Sequence, residues 1–165
     1  MKIVLRVLFI VALLALGVWL WTIAFPSPEK IIRKDLTTLA DHASFSATDN
    51  GILKMAHAQN IADFFNTNIV ITIDVPGHDQ QTMAGRDQIT QAAIVSRQQF
   101  TSLDIKFPDI VITVAPDKTS ATADVTSEVT ISGNADKVVQ EMKFTFQKVD
   151  GDWLISEIKT VSPVS

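Results

Sequence analysis

Residues 121–161 read ATADVTSEVTISGNADKVVQEMKFTFQKVDGDWLISEIKTV, and the two-residue rhythm of this stretch decides the fold. Ala121, Ala123, Val125, Val129 and Ile131 alternate with Thr122, Asp124, Thr126, Glu128 and Thr130, which predicts a strand with one apolar and one polar face. Gly133-Asn134 turns the chain, and residues 137–149 carry Met142, Phe144 and Phe146 at the same spacing. Asp150-Gly151 is a hairpin signal, and 153–161 supplies the closing strand. Upstream, 101–115 places Leu103, Ile105 and Phe107 on one face, breaks at Pro108-Asp109 and resumes as Ile110-Val111-Ile112-Thr113-Val114. Strands of 13 to 15 residues would reach ~45 Å, beyond the common length, so a sheet built from them has to curl. Pro108 marks the bend, because proline is tolerated in sheets at bulges and edges.

Before this block the period is helical. Ser27-Pro28 is a favourable N-cap and first helical residue, and Ile32, Leu36, Leu39 and Ala43 follow at helix spacing. Asp49-Asn50-Gly51 ends that helix and starts a second, in which Leu53, His57, Ile61 and Phe64/Phe65 share a face. Ile69, Ile71, Ile73 and Val75 form a strand, residues 76–79 turn, and 81–84 return. Gly85 then pivots into a third helix, 86–99, with Ile89, Ala93 and Arg97 in one row. The expected fold class is α+β: a strongly curved antiparallel sheet wrapping three N-terminal helices, a cone whose wide end is a natural pocket.

The leader is of another kind. Residues 7–25 carry no charge, follow Lys2 and Arg6, and end at Pro26-Ser27-Pro28. As a helix they cover ~28 Å, about the hydrocarbon thickness of a bilayer. Trp19 and Trp21 suit a membrane interface, and the run is longer than the apolar core of a cleaved signal peptide. The expected organisation is a transmembrane or signal-anchor segment at 1–25, a linker at 26–28 and one domain at 29–162. Basic residues precede the span, so the domain is expected outside the cytoplasm, anchored by a single pass, or secreted if the leader is removed.

Composition narrows the function. Setting aside Lys2 and Arg6 leaves 12 basic against 18 acidic residues, a net of −6, which argues against nucleic acid as a partner. There is no cysteine, which excludes disulfides and thiolate metal sites. His42 reads as lying on a polar helix face and His78 in a turn; with no H-x-x-x-H pair, neither a metal nor another cofactor is expected.

The order of helix, helix, strand, short strand, helix and four long strands resembles the nuclear transport factor two-like superfamily, which includes SnoaL-like and ketosteroid-isomerase-like domains. Two segments carry the resemblance: Ala84-Gly85-Arg86-Asp87-Gln88-Ile89, and Val149-Asp150-Gly151-Asp152-Trp153-Leu154-Ile155. Both are scaffold signatures, and the superfamily hosts enzymes, ligand binders and interaction modules alike. The ketosteroid-isomerase site that the resemblance would imply pairs a general-base Asp with an oxyanion hole containing Tyr. The chain has no tyrosine, so that site is absent, and the paired Tyr and His of scytalone dehydratases fail likewise.

His57, between Leu53 and Ile61 on the inward row, is the candidate catalytic acid/base. Leu53, His57, Ile61, Phe64, Arg97, Phe107, Phe144 and Trp153 form the candidate lining of the cone. Arg97 would clamp an anionic ligand at the mouth, or bury its stem and send its charge to water. Asp74, Asp124 and Glu128 fall on the polar parity and leave His57 without an inward carboxylate. Thr113, Thr122, Thr126, Thr130, Thr145 and Gln147, with Val70, Val111 and Val139, make a flat outer face, which in the resembling folds often builds homodimers. These features predict a non-catalytic, membrane-tethered extracytoplasmic domain that binds a small apolar ligand or an envelope protein. The alternative is a SnoaL-like isomerase, dehydratase or hydrolase acting on an apolar small molecule through His57.

Overall fold

The computed structural model describes residues 26–74, 80–132 and 137–161, together with the helical positions Ala12, Leu14 and Leu16. The span expected over 7–25 falls outside these residues apart from those three positions, as do Val75, His78 and the turn at Gly133-Asn134. Among the described residues no helix is long and apolar enough to cross a membrane.

Among the described residues from 26 onward there are three helices, α1 (Pro28–Ala43), α2 (Gly51–Asn60) and α3 (Arg86–Gln99), and six strands. The strands are β1 (Phe65–Ile73), β2 (Gln81–Ala84), β3 (Leu103–Val114), β4 (Ser120–Ile131), β5 (Val138–Val149) and β6 (Asp152–Thr160), and one 3₁₀ turn, Ile61–Phe64, links α2 to β1. Local chemistry sets the boundaries. Pro28 opens α1, and Asn50 caps α2 by accepting the amide of Ile52 at 3.0 Å. Gly85 turns β2 into α3 at φ 84°, its amide donating to the carbonyl of Ile69 at 2.8 Å. Asp150 and Gly151 both have positive φ, 53° and 103°, as the tight β5–β6 hairpin requires.

All six strands form one sheet in the order β2-β1-β6-β5-β4-β3. Four of the five strand pairings meet the antiparallel expectation, but β1 pairs with β6 in parallel, so the sheet is mixed. The cause is the path of the chain. After β2 it crosses through α3 to the far edge, and three hairpin reversals from β3 bring β6 back beside β1 pointing the same way. The register of β3 on β4 slips between Lys106 and Asp109, which puts a bulge at Phe107-Pro108 where the bend was expected.

The helices lie in the hollow of the sheet. Ile32, Leu36 and Leu39 of α1 pack with Ile61, Ile69, Ile89, Ala123, Val125, Phe144, Phe146, Trp153 and Ile155 in one apolar cluster. Burying side chains of this size stabilises the fold by roughly 1.5–3 kcal/mol each. The same helix closes the open edge of β3. Phe45 exchanges two backbone bonds with Leu103 (2.8 and 2.9 Å), Ser44 Oγ accepts the amide of Ile105 at 2.9 Å, and Arg33 donates to the carbonyl of Ile110 at 2.8 Å. At the other edge β2 is only four residues long, and the Gln88 side chain accepts the amide of Ala84 at 3.0 Å. Both edges are thereby protected from further strand pairing.

Candidate functional site

The last turns of α1 and α3 meet α2 at one end of the fold. Four side chains converge there. His42 closes α1, His57 lies in the last turn of α2, Phe64 follows in the 3₁₀ turn, and Arg97 ends α3. The two imidazole rings stand edge to face with centroids 4.7 Å apart, and Phe64 is 5.9 Å from His42.

Arg97 is the organising group. Its guanidinium donates to the carbonyl of Ala93 one turn back, at 2.8 Å, and to the carbonyl of His42, and it lies 5.2 Å over the ring of Phe45. A cation near two helix C-termini complements both dipoles, and here it also satisfies the His42 carbonyl, which lies in the last turn of α1 and has no intrahelical partner. The guanidinium therefore fastens α3 to the end of α1 and does not send its charge to water. Burial lowers its pKa from the usual arginine range.

His42 was expected on a polar face and is instead half-buried, with Nδ1 enclosed and without a hydrogen-bond partner. Its pKa is held below the ordinary histidine value, by burial first and then by the neighbouring His57; Asp41 opposes this and Arg97 adds a smaller push in the same direction. A signal for its burial was present in the spacing, since His42 lies three residues after the buried Leu39 and flanks the apolar stripe of α1.

The candidate lining residues divide into two groups. His57, Phe64 and Arg97 come together at the rim with His42. Ile61, Phe144 and Trp153 are core residues at 4%, 2% and 4% exposure, and Phe107 packs on Phe144 with ring centroids 5.8 Å apart. Trp153 belongs to the opposite end of the cone, beside the Asp150-Gly151 turn, where Lys148 lies 5.8 Å from its ring. The side chain of Leu53 is outside the described residues.

No carboxylate or hydroxyl bonds either imidazole among the described residues; the aromatic partner of His57 is the ring of His42. No three His, Asp or Glu side chains of the described residues lie close enough together to hold a metal ion. Two open grooves flank the rim. One, about 330 Å³, runs between α1 and the β3 bulge past Thr37, Ala40, Asp41, Phe107 and Pro108. The other, about 160 Å³, lies between α2 and α3 and is lined by Gly51, Met55, Ala58, Ile94, Arg97 and Gln98. His57 lines neither.

On the convex face the polar parity of the strands is filled with charge and threonine. Lys143 pairs with Asp124 at 3.1 Å and Lys137 with Glu128 at 3.2 Å. Lys106 pairs with Asp104 at 2.8 Å, and Lys159 with Glu157 at 3.6 Å. Thr122 stands opposite Thr145 in the ladder, and Thr126 Oγ1 donates to Glu141 at 2.8 Å. Val111 and Val139 are more than half exposed among them.

No protein-family model matches the chain, and no curated protein matches it in sequence. Solved structures do match in fold. An NTF2-like protein of unknown function from Pseudomonas putida superposes with a TM-score of 0.60 at 10% identity, over 81% of this chain and 85% of that one. A protein of unknown function with a cystatin-like fold from Nostoc punctiforme gives 0.60 at 12% identity, covering 82% and 91%. The yeast UBP3-associated protein BRE5 gives 0.60 at 16% identity, covering 84% and 100%. The architecture described above is the NTF2-like, cystatin-like α+β fold.

Proposed function

We propose that this chain is a membrane-tethered extracytoplasmic domain that acts by binding, without turnover, and that its ligand is an envelope protein more readily than a small apolar molecule. The observation that carries this reading is the absence, among the described residues, of a proton partner for His57. An activated acid/base is commonly oriented by a third group within hydrogen-bond reach, whereas the ring partner of His57 is a second imidazole. Arg97 argues in the same direction, because two of its donors are engaged by helix carbonyls. Phe144 and Trp153, which would line a ligand chamber, are packed into the core, and Phe64 and Phe107 pack against it.

Tethering rests on the uncharged run 7–25 behind Lys2 and Arg6. Partner binding has the convex face as its surface, where Val111 and Val139 interrupt an otherwise charged and threonine-rich sheet. A second copy of the chain is one occupant of that face. The fold itself accommodates such a role, since one similar structure is a protein described by its association with another.

One observation favours the competing enzyme reading: the His42–His57 pair places a half-buried imidazole with an unpartnered nitrogen against the candidate base. In that reading His57 takes a proton from an apolar substrate. Intact mass and native mass spectrometry of the full chain extracted from membranes separate the two. Retention of 1–25 with a bound protein supports the tethered binding domain. A truncated, soluble chain carrying a small molecule overturns it.

A further inference from the structure

The two ends of the cone differ, and the position of the leader assigns one of them to the membrane. Only Pro26 and Ser27 separate Phe25 from the first residue of α1, so a span ending at Phe25 holds that helix within ~11 Å of the bilayer surface. Two turns share the end at which α1 begins. Lys118, in the β3–β4 turn, is close enough to act on the charge of Glu29, and Asp152, at the β5–β6 hairpin, acts on Asp35. The turns also touch each other, the amide of Lys148 donating to the carbonyl of Thr119 at 2.8 Å. α1 runs antiparallel to β3, with Arg33 at Ile110 and Phe45 at Leu103. The 14 steps from Pro28 to His42 therefore carry His42 ~21 Å away from this end.

We infer that the end formed by the N-terminus of α1, the 116–119 turn and the Asp150-Gly151 turn rests against the lipid headgroups, and that the rim with His42, His57 and Arg97 points away from the membrane. This rests on the tethered reading above. The chemistry of the two ends agrees with it. Lys118 and Lys148 sit beside Asp117, Asp150 and Asp152, a mixed-charge surface suited to a zwitterionic headgroup layer with no demand for anionic lipid. The far end instead exposes apolar side chains: Ile52 at 81%, Val138 at 51% and Met55 at 50%. These apolar side chains are thus carried clear of the bilayer.

The absence of cysteine makes the test direct. Single substitutions Thr119→Cys and Lys148→Cys at the near end, and Ile52→Cys and Gln99→Cys at the far end, are labelled with a fluorophore in the full chain. Each labelled chain is reconstituted into phosphatidylcholine vesicles containing headgroup-nitroxide lipid. The expected result is loss of fluorescence at 119 and 148, with emission unchanged at 52 and 99. Equal quenching at all four positions, or quenching confined to 52 and 99, in protein that floats with the vesicles overturns the orientation alone. Failure of all four labelled chains to float overturns the tethered reading, and the orientation falls with it.

Discussion

The concave and convex faces of the sheet are built from alternate residues of the same strands, yet their side chains answer to different constraints. On the concave side Ala123, Val125, Phe144, Phe146 and Ile155 are each no more than 2% exposed. Their immediate neighbours Thr122, Asp124, Lys143 and Thr145 stand on the convex side, where ion pairs in water contribute roughly 0–1 kcal/mol each. Stability is therefore concentrated on one parity, which leaves the other free to serve recognition. Between the two lies the rim, where polar groups are half-buried and hold helices together.

The strongest way to break the comparison is to open the concave side. Phe146→Ala removes a fully buried aromatic ring and is expected to destabilise the domain by about 3–5 kcal/mol in chemical denaturation. A loss below about 1 kcal/mol, the size of an ordinary surface change, would mean that the concave face is not a packed core.

At the rim, Arg97→Ala strips donors from the carbonyls of Ala93 and His42 and should cost about 1.5–3 kcal/mol. Arg97→Lys should recover only part of this, because an ammonium lacks the planar fork. Full recovery by lysine would reduce the residue to a simple charge.

The rim should also respond to acid. His42 has a folded pKa below its unfolded value, so between the two the unfolded chain binds the extra proton. The stability linked to this group is complete above about pH 6.5 and falls as the pH drops through the unfolded and then the folded value. Urea midpoints should therefore decline from about pH 7.5 to about pH 5.5, and His42→Gln should flatten that decline. An equal decline in both proteins would remove His42 as its source.

The smallest effect belongs to the convex face. Val111→Ser combined with Val139→Ser should leave stability within about 0.5 kcal/mol per site while weakening association with the partner or the second copy. Unchanged association, measured by native mass spectrometry on the full chain, would move the interaction surface elsewhere.

Much of this architecture was legible because it is written in local chemistry. Pro28 and Asn50 open helices, Asp150-Gly151 makes the hairpin, Pro108 falls in the bulge, and period-two alternation assigns Val125 and Phe146 inward. What escaped depends on contacts between distant segments. The parallel pairing of Val70 with Glu157 joins strands whose direction relative to one another no hairpin fixes. The burial of His42 follows from α2 packing against it, and the engagement of Arg97 follows from the end of α1 arriving within reach of its guanidinium. The candidate site was thus readable as a set of residue types. Its division into a helix-bridging rim and a packed interior was not.

Turnover measured against an apolar small-molecule panel, for the wild-type chain and for His57→Ala side by side, tests the central claim most directly. A binding domain gives no reaction above the uncatalysed background in either protein. Catalysis by the wild-type chain that disappears with the imidazole would contradict the account.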